Sequence, residues 1–106
     1  MKPAQTRGNL DVLLLGVLSA GPGHGYEIIA ALKEKSGGEF DLPEGTVYPS
    51  LHRLEDAGLL ASSWDVRGRR RRIYRLTAAG EASLATGRQS WTRFSLGMNS
   101  VLGVQT

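Results

Sequence analysis

The chain has 106 residues, a formal net charge of +3 and no cysteine, which suits one small domain and leaves no material for disulfides or a thiolate metal site. A domain of this size buries only about 60–70% of the surface its unfolded chain exposes, so a second subunit would add much to a modest core. No apolar run approaches the roughly 20 residues of a membrane-spanning helix, and the lack of cysteine fits a reducing cytoplasm.

Lys2 and Arg7 ahead of VLLLGVLSA give a faint likeness to a signal peptide. Asp11 abuts that run, however, and the segment reads better as a first core helix over 9–20. Leu10, Leu14, Val17 and Leu18 fall at i, i+4, i+7 and i+8 on one face, widened by Leu13 and Leu15. GPGHG at 21–25 breaks the helix. The next segment, YEIIAALKEK, predicts a second helix with Tyr26, Ile29 and Leu32 inward and Glu27, Lys33 and Glu34 outward; His24 stands where it can open that helix. SGGEFDLP at 36–43 is a loop in which Phe40 and Leu42 alternate around Asp41, as in a very short strand.

A third helix follows in EGTVYPSLHRLEDAGLL. Val47, Leu51 and Leu54 form a thin apolar seam, with Thr46, Pro49, His52, Arg53 and Asp56 on the opposite side. Proline belongs in a first turn, which predicts a start near Thr46, and Gly58 is a good stop. LASSWDV at 60–66 and RRIYRL at 71–76 alternate as strands, joined by a hairpin turn with Gly68 at the bend. Thr77 is the expected N-cap of a last helix, in which Trp91, Phe94, Met98, Val101 and Leu102 recur at 0, +3, +7, +10 and +11, close to a coiled-coil seam. Gly80, Gly87 and Gly97 each weaken that helix by roughly 1 kcal/mol relative to alanine, so it needs packing to hold.

This order predicts a mainly α fold with a small β-hairpin, an α+β chain. Residues 1–80 would form a winged helix-turn-helix domain and residues 81–106 a C-terminal dimerisation helix, together one compact unit. The third helix would enter a DNA major groove and the hairpin would be the wing. Thr46, Ser50 and Arg53 are the best candidates for groove contacts, with Pro49 beside them; Arg53 could equally hold a phosphate.

Charge supports that reading. Residues 1–65 hold five basic and nine acidic side chains, and residues 66–106 eight basic and one acidic, Glu81. Such asymmetry points the second half at a polyanion or an acidic surface. RGRRRRIYRLT packs six arginines and no acid into Arg67–Thr77. On a hairpin, Arg67, Arg69, Arg70, Arg71 and Arg72 can follow phosphates beside the groove or reach into a narrow minor groove. Arg72 and Arg75 also fit ordinary solvent-facing strand positions. Trp91 and Phe94, with Met98, Val101 and Leu102, carry more apolar surface than a small monomer can cover, which predicts a dimer interface. His24 and His52 have no second ligand nearby in sequence, and no phosphate loop or nucleophile elbow occurs. Neither a metal, a cofactor nor catalysis is expected.

LLLGVLSAGPGHGYEI at 13–28, GTVYPSLHRLEDAGLL at 45–60, RRIYRLTAAG at 71–80 and Trp91 in the last helix resemble the PadR family of bacterial transcriptional regulators, in its short subfamily with a single C-terminal helix. Each piece alone is weak; their pairing at these distances over nearly the whole chain is specific. The resemblance implies a cytoplasmic homodimeric repressor of double-stranded DNA, with no membrane partner. It implies Tyr48 against the DNA backbone and a last helix packed on the partner's N-terminal and C-terminal helices, which brings Leu10 and Leu14 into the dimer and effector region. It also implies a small, often aromatic, effector near Trp91. The operator would be near-palindromic, with half-sites about one helical turn apart or a multiple of it. The arginine-rich wing and the glycine-rich last helix depart from the family pattern. Two other readings stay open: a winged-helix protein–protein adaptor gripping an acidic surface, and an architectural DNA binder without sequence preference.

Overall fold

Leucine spacing decides where the chain closes on itself. The structure, a computed structural model, describes residues 3–65, 67 and 70–105. Helices α1 (Pro3–Leu18), α2 (Gly25–Lys35) and α3 (Glu44–Asp56) meet around Leu14, Leu15, Leu18, Ile28, Val47, Leu51 and Leu54. Strands β2 (Leu60–Asp65) and β3 (Arg71–Leu76) add Leu60 and Tyr74 to that core, and α4 (Ala78–Leu102) adds Leu84. This is the mainly α, winged helix-turn-helix architecture expected from the element order.

The sheet has a third strand in an unexpected place. β1 (Gly23–His24) lies inside GPGHG and pairs antiparallel with β3, giving the order β1-β3-β2. Phe40 and Leu42, expected to form a short strand, make no ladder. The reason is adjacency: the α1–α2 connection runs along the open edge of β3, whose N–H and C=O groups need partners. In the hairpin Leu60 pairs with Leu76 and Asp65 with Arg71. Val66 at the expected strand end and Gly68 at the expected bend lie outside the described residues.

Three helix boundaries and faces differ from expectation. α1 spans Pro3–Leu18 rather than 9–20. α2 buries Gly25, Ile28 and Leu32, and Tyr26, expected in the core, is 56% exposed. α3 begins at Glu44, so Pro49 sits in its second turn and not its first. Its missing N–H leaves the Gly45 carbonyl without a helical donor, on an exposed side where water can serve it.

Gly58 stops α3 as expected, just past its last residue Asp56 and the cap at Ala57. With φ of +80°, Gly58 takes the left-handed conformation, and its N–H reaches the Glu55 carbonyl (2.9 Å) while Leu59 N–H reaches that of Leu54 (3.0 Å). The Thr77 hydroxyl donates to the Gly58 carbonyl (2.7 Å) and accepts from Gly80 N–H (3.0 Å), so one side chain caps α4 and fastens it to the end of α3. A Cβ on Gly80 would collide with the Leu59 carbonyl oxygen, and one on Gly87 with Val12 of α1. Both glycines trade helix propensity for close packing. α4 thus crosses residue 80 unbroken, its first turns in the core, and the molecule extends 51 × 28 × 24 Å.

Candidate nucleic-acid interface and the outer face of α4

The outward side of α3 carries Thr46, Pro49 and His52, all exposed at helical spacing. Tyr48 is half-buried: its ring lies on Gly25 at the start of α2, where any Cβ would overlap it, and meets the Tyr26 ring edge-on at 6.4 Å. Burial pushes the Tyr48 phenol above its ordinary pKa, and the nearby Tyr26 and Glu44 push the same way. The start of α2 is itself tied down by His24. Its Nδ1 accepts from Glu27 N–H (3.4 Å) while Glu27 Oε1 accepts from His24 N–H (3.0 Å), a reciprocal cap.

Two of the expected groove contacts are engaged inside the protein. Ser50 is buried on the same line as Val47, Leu51 and Leu54, and its hydroxyl donates to the Thr46 carbonyl at 3.0 Å. Arg53 is held by the Asp11 carboxylate of α1 in an ion pair. Arg53 lies off the apolar seam of α3, as its spacing predicts, but is half-buried where α1 passes within reach of it.

The wing divides its charges by face. Strand alternation puts Ser62 and Trp64 of β2 and Tyr74 and Arg72 of β3 on the side that faces the helices. Trp64 is 50% exposed there, with the Arg70 and Arg72 guanidinium carbons 4.7 and 5.0 Å from its ring centroid. Arg72 Nε donates to the Ser62 hydroxyl (2.8 Å), Ser62 donates to Glu55 of α3 (2.5 Å), and the Arg72 guanidinium lies 3.9 Å from the same carboxylate. On the other side Arg71 stands opposite Asp65. Arg67, fully at the surface, donates from its backbone (3.1 Å) and its Nε (3.3 Å) to Asp65, and these bonds hold the Asp65 carboxyl below the usual carboxylate range. Arg69 lies outside the described residues.

Beyond Gly87, α4 leaves the core. Trp91, Phe94, Met98, Val101 and Leu102 are all exposed, Val101 to 85%, and the Trp91 and Phe94 rings lie 5.6 Å apart. Leu10 is half-buried against the core, and Leu14 is fully enclosed within it. Leu14, expected at the dimer and effector region, therefore has no surface left to offer a partner. Among the described residues no group of three or more His, Cys, Asp or Glu comes together to hold a metal ion, and no helix is long and apolar enough to cross a membrane.

Sequence reasoning passed over Trp64, Glu55, Ser62 and Asp11. Trp64 had a readable signal, since pairing the two strands through a short turn sets it opposite an arginine. Asp11 and Glu55 act across elements distant in sequence and had none.

Residues 14–86 match the transcriptional regulator PadR-like family. The transcriptional regulator Rv3488 of Mycobacterium tuberculosis is 43% identical over 75 residues, covering 70% of this chain and 67% of that protein. The solved structure of a transcriptional regulator from Clostridium thermocellum superposes with a TM-score of 0.82 at 29% identity, over 89% of this chain and 93% of that one. Bacillus subtilis PadR, solved in complex with operator DNA, gives a TM-score of 0.67 at 29% identity over 73% of this chain and 45% of that one.

Proposed function

The chain belongs to the PadR-like family of transcriptional regulators, not to a family of enzymes, and on that premise we propose that it is a homodimeric repressor that binds a near-palindromic DNA operator. One observation carries the reading: the outward side of α3, exposing Thr46, Pro49 and His52, lies next to a hairpin loaded with arginine, while the opposite chemistry, an uncovered apolar seam, lies on α4. The operator-bound Bacillus subtilis relative supports DNA as the partner.

In this reading Thr46 and Pro49 line the groove-facing side of α3, and Tyr48 presents its hydroxyl to the DNA backbone. Arg67, Arg69, Arg70 and Arg71 supply charge to flanking phosphates, where each neutralised phosphate releases counterions. Ser50 acts from inside by holding the helix, and Arg53 reads DNA only when Asp11 lets go. The second copy covers Trp91, Phe94, Met98, Val101 and Leu102, with Leu10 at the margin. A small aromatic effector, stacking at Trp91, would act by favouring one spacing of the two α3 helices over another.

Selection of bound duplexes from a random pool at near-physiological salt tests the whole. A two-fold symmetric motif is the expected result. Retention without any motif would turn the protein into an architectural binder, and no retention would favour the adaptor reading.

A further inference from the structure

The arginines of the wing are not equivalent, and the geometry points to Trp64 as the residue that makes one of them useful. We infer that Trp64 is a positioning residue that holds Arg70 toward DNA phosphates, and that Arg72 is a strut between wing and α3 rather than a DNA contact. The inference rests on the DNA-binding reading above.

Arg72 is committed inside the protein. Its guanidinium donates to the Ser62 hydroxyl, sits 3.9 Å from the Glu55 carboxylate and covers Trp64. Glu55 belongs to α3, so the Glu55–Ser62–Arg72 chain fixes the hairpin's inner face against that helix. Arg70 differs. It is exposed, lies just before β3 and packs 4.7 Å from the centre of the same indole. A flat aromatic face attracts a guanidinium through its quadrupole and leaves the edge N–H groups free to donate. Those free edges are what a phosphate oxygen takes, often from two N–H groups at once.

Two guanidinium groups over one ring repel each other. Glu55 offsets the charge of Arg72, so the ring can hold both. Trp64 is half-exposed although it is the largest side chain on the hairpin. It extends the core-facing side of the sheet outward, beyond Tyr74 and Leu60, to the side where α3 lies. The basic run then divides by chemistry as well as by face: Arg70 is displayed, Arg72 braces, and Arg71 and Arg67 stand with Asp65.

A double-mutant cycle on the full chain tests this, with a 30-base-pair duplex of mixed sequence as probe and affinity measured from about 50 to 200 mM salt. Arg70→Ala should weaken binding and lower the salt slope by about 0.9, one phosphate's worth. Trp64→Ala should weaken it about two- to fivefold, the range of an exposed cation–π contact, and should cost nothing further when added to Arg70→Ala. Trp64→Phe keeps a ring face and should recover part of the loss. Arg72→Ala should lower the midpoint of urea unfolding, with a salt slope equal to the wild type once folded fractions are matched. Additive losses from Trp64→Ala and Arg70→Ala, or a wild-type slope in Arg70→Ala, would overturn the inference while leaving DNA binding intact. Failure of the wild-type protein to bind the duplex at any salt would overturn the DNA-binding reading and this inference with it. If Trp64→Ala unfolds, the Trp64→Phe and Arg70→Ala pair carries the cycle.

Discussion

The outer half of α4 and the side of the molecule formed by α3 and the wing are both exposed, and they are opposites. The first displays Trp91, Phe94, Met98, Val101 and Leu102. The second displays Thr46, Pro49, His52 and arginines at and beside a hairpin tip. Uncovered apolar area is costly in water and is relieved by another protein surface. Exposed arginine is comfortable in water and gains by exchanging counterions for a polyanion. The difference teaches which partner each region wants, and that the two can be broken separately.

Trp91→Glu should have the largest effect. A carboxylate in the apolar seam should cost association at least about 3 kcal/mol and yield monomers in sedimentation, while the salt slope per monomer on a mixed-sequence duplex stays unchanged. An intact dimer would place the interface elsewhere. Alanine at Arg69, Arg70, Arg71 and Arg72 should do the reverse. The dimer should persist, and the slope of log affinity against log salt should fall by up to about 3 if all but the bracing Arg72 meet phosphates. An unchanged slope would remove the wing from DNA contact. Where both changes alter both properties, the two regions are coupled and the comparison is too simple.

Gly80→Ala probes the junction between them. Its new Cβ meets the Leu59 carbonyl, backbone that cannot rotate away, so thermal unfolding should report about 1–3 kcal/mol of lost stability. Wild-type stability would mean that the start of α4 can shift freely. Asp11→Asn sharpens the polar side. It frees the Arg53 guanidinium from its ion pair, and non-specific DNA affinity should rise a fewfold with a salt slope steeper by about 0.9. An unaltered slope would confine Arg53 to a structural role.

The smallest effect is at high pH. Burial raises the Tyr74 phenol above its ordinary pKa, with Glu55 and Tyr48 adding and Arg72 opposing. The unfolded chain therefore loses this proton first as pH rises. Tyr74 contributes stability that is full below about pH 10 and is lost as pH climbs through the higher folded value. Urea unfolding should fall off more steeply above pH 10 for the wild type than for Tyr74→Phe; parallel curves would show that Tyr74 plays no part.

The four helices, the hairpin and their order were legible in the chain because each has a local cause: period in the leucines of α1 and α3, alternation in Ser62, Trp64, Tyr74 and Leu76, Gly58 as a stop and Thr77 as a cap; β1, which forms only against the edge of β3, was not. The thin seam of α3 also gave its outward stripe. Elsewhere local rules misled. Pro49 argued for a later helix start than the chain adopts, because a solvent-facing carbonyl tolerates the missing donor. The spacing of Tyr26 suggests core, although a glycine before it supplies the inward position and takes the Tyr48 ring.

The sequence by itself determined the four helices, the hairpin and how charge and apolar surface divide along the chain. These follow from neighbours a few residues apart, whose spacing the backbone geometry sets. Only the tertiary structure decided which exposed-looking groups are available. Arg53 is taken by Asp11, which lies 42 positions away along the chain, and Arg72 is claimed by Glu55 and Ser62. Gly80 and Gly87, a weakness in an isolated helix, became the places where α4 comes closest to its neighbours. Ion pairs and close packing depend on distances through space, and those exist only once the elements have met.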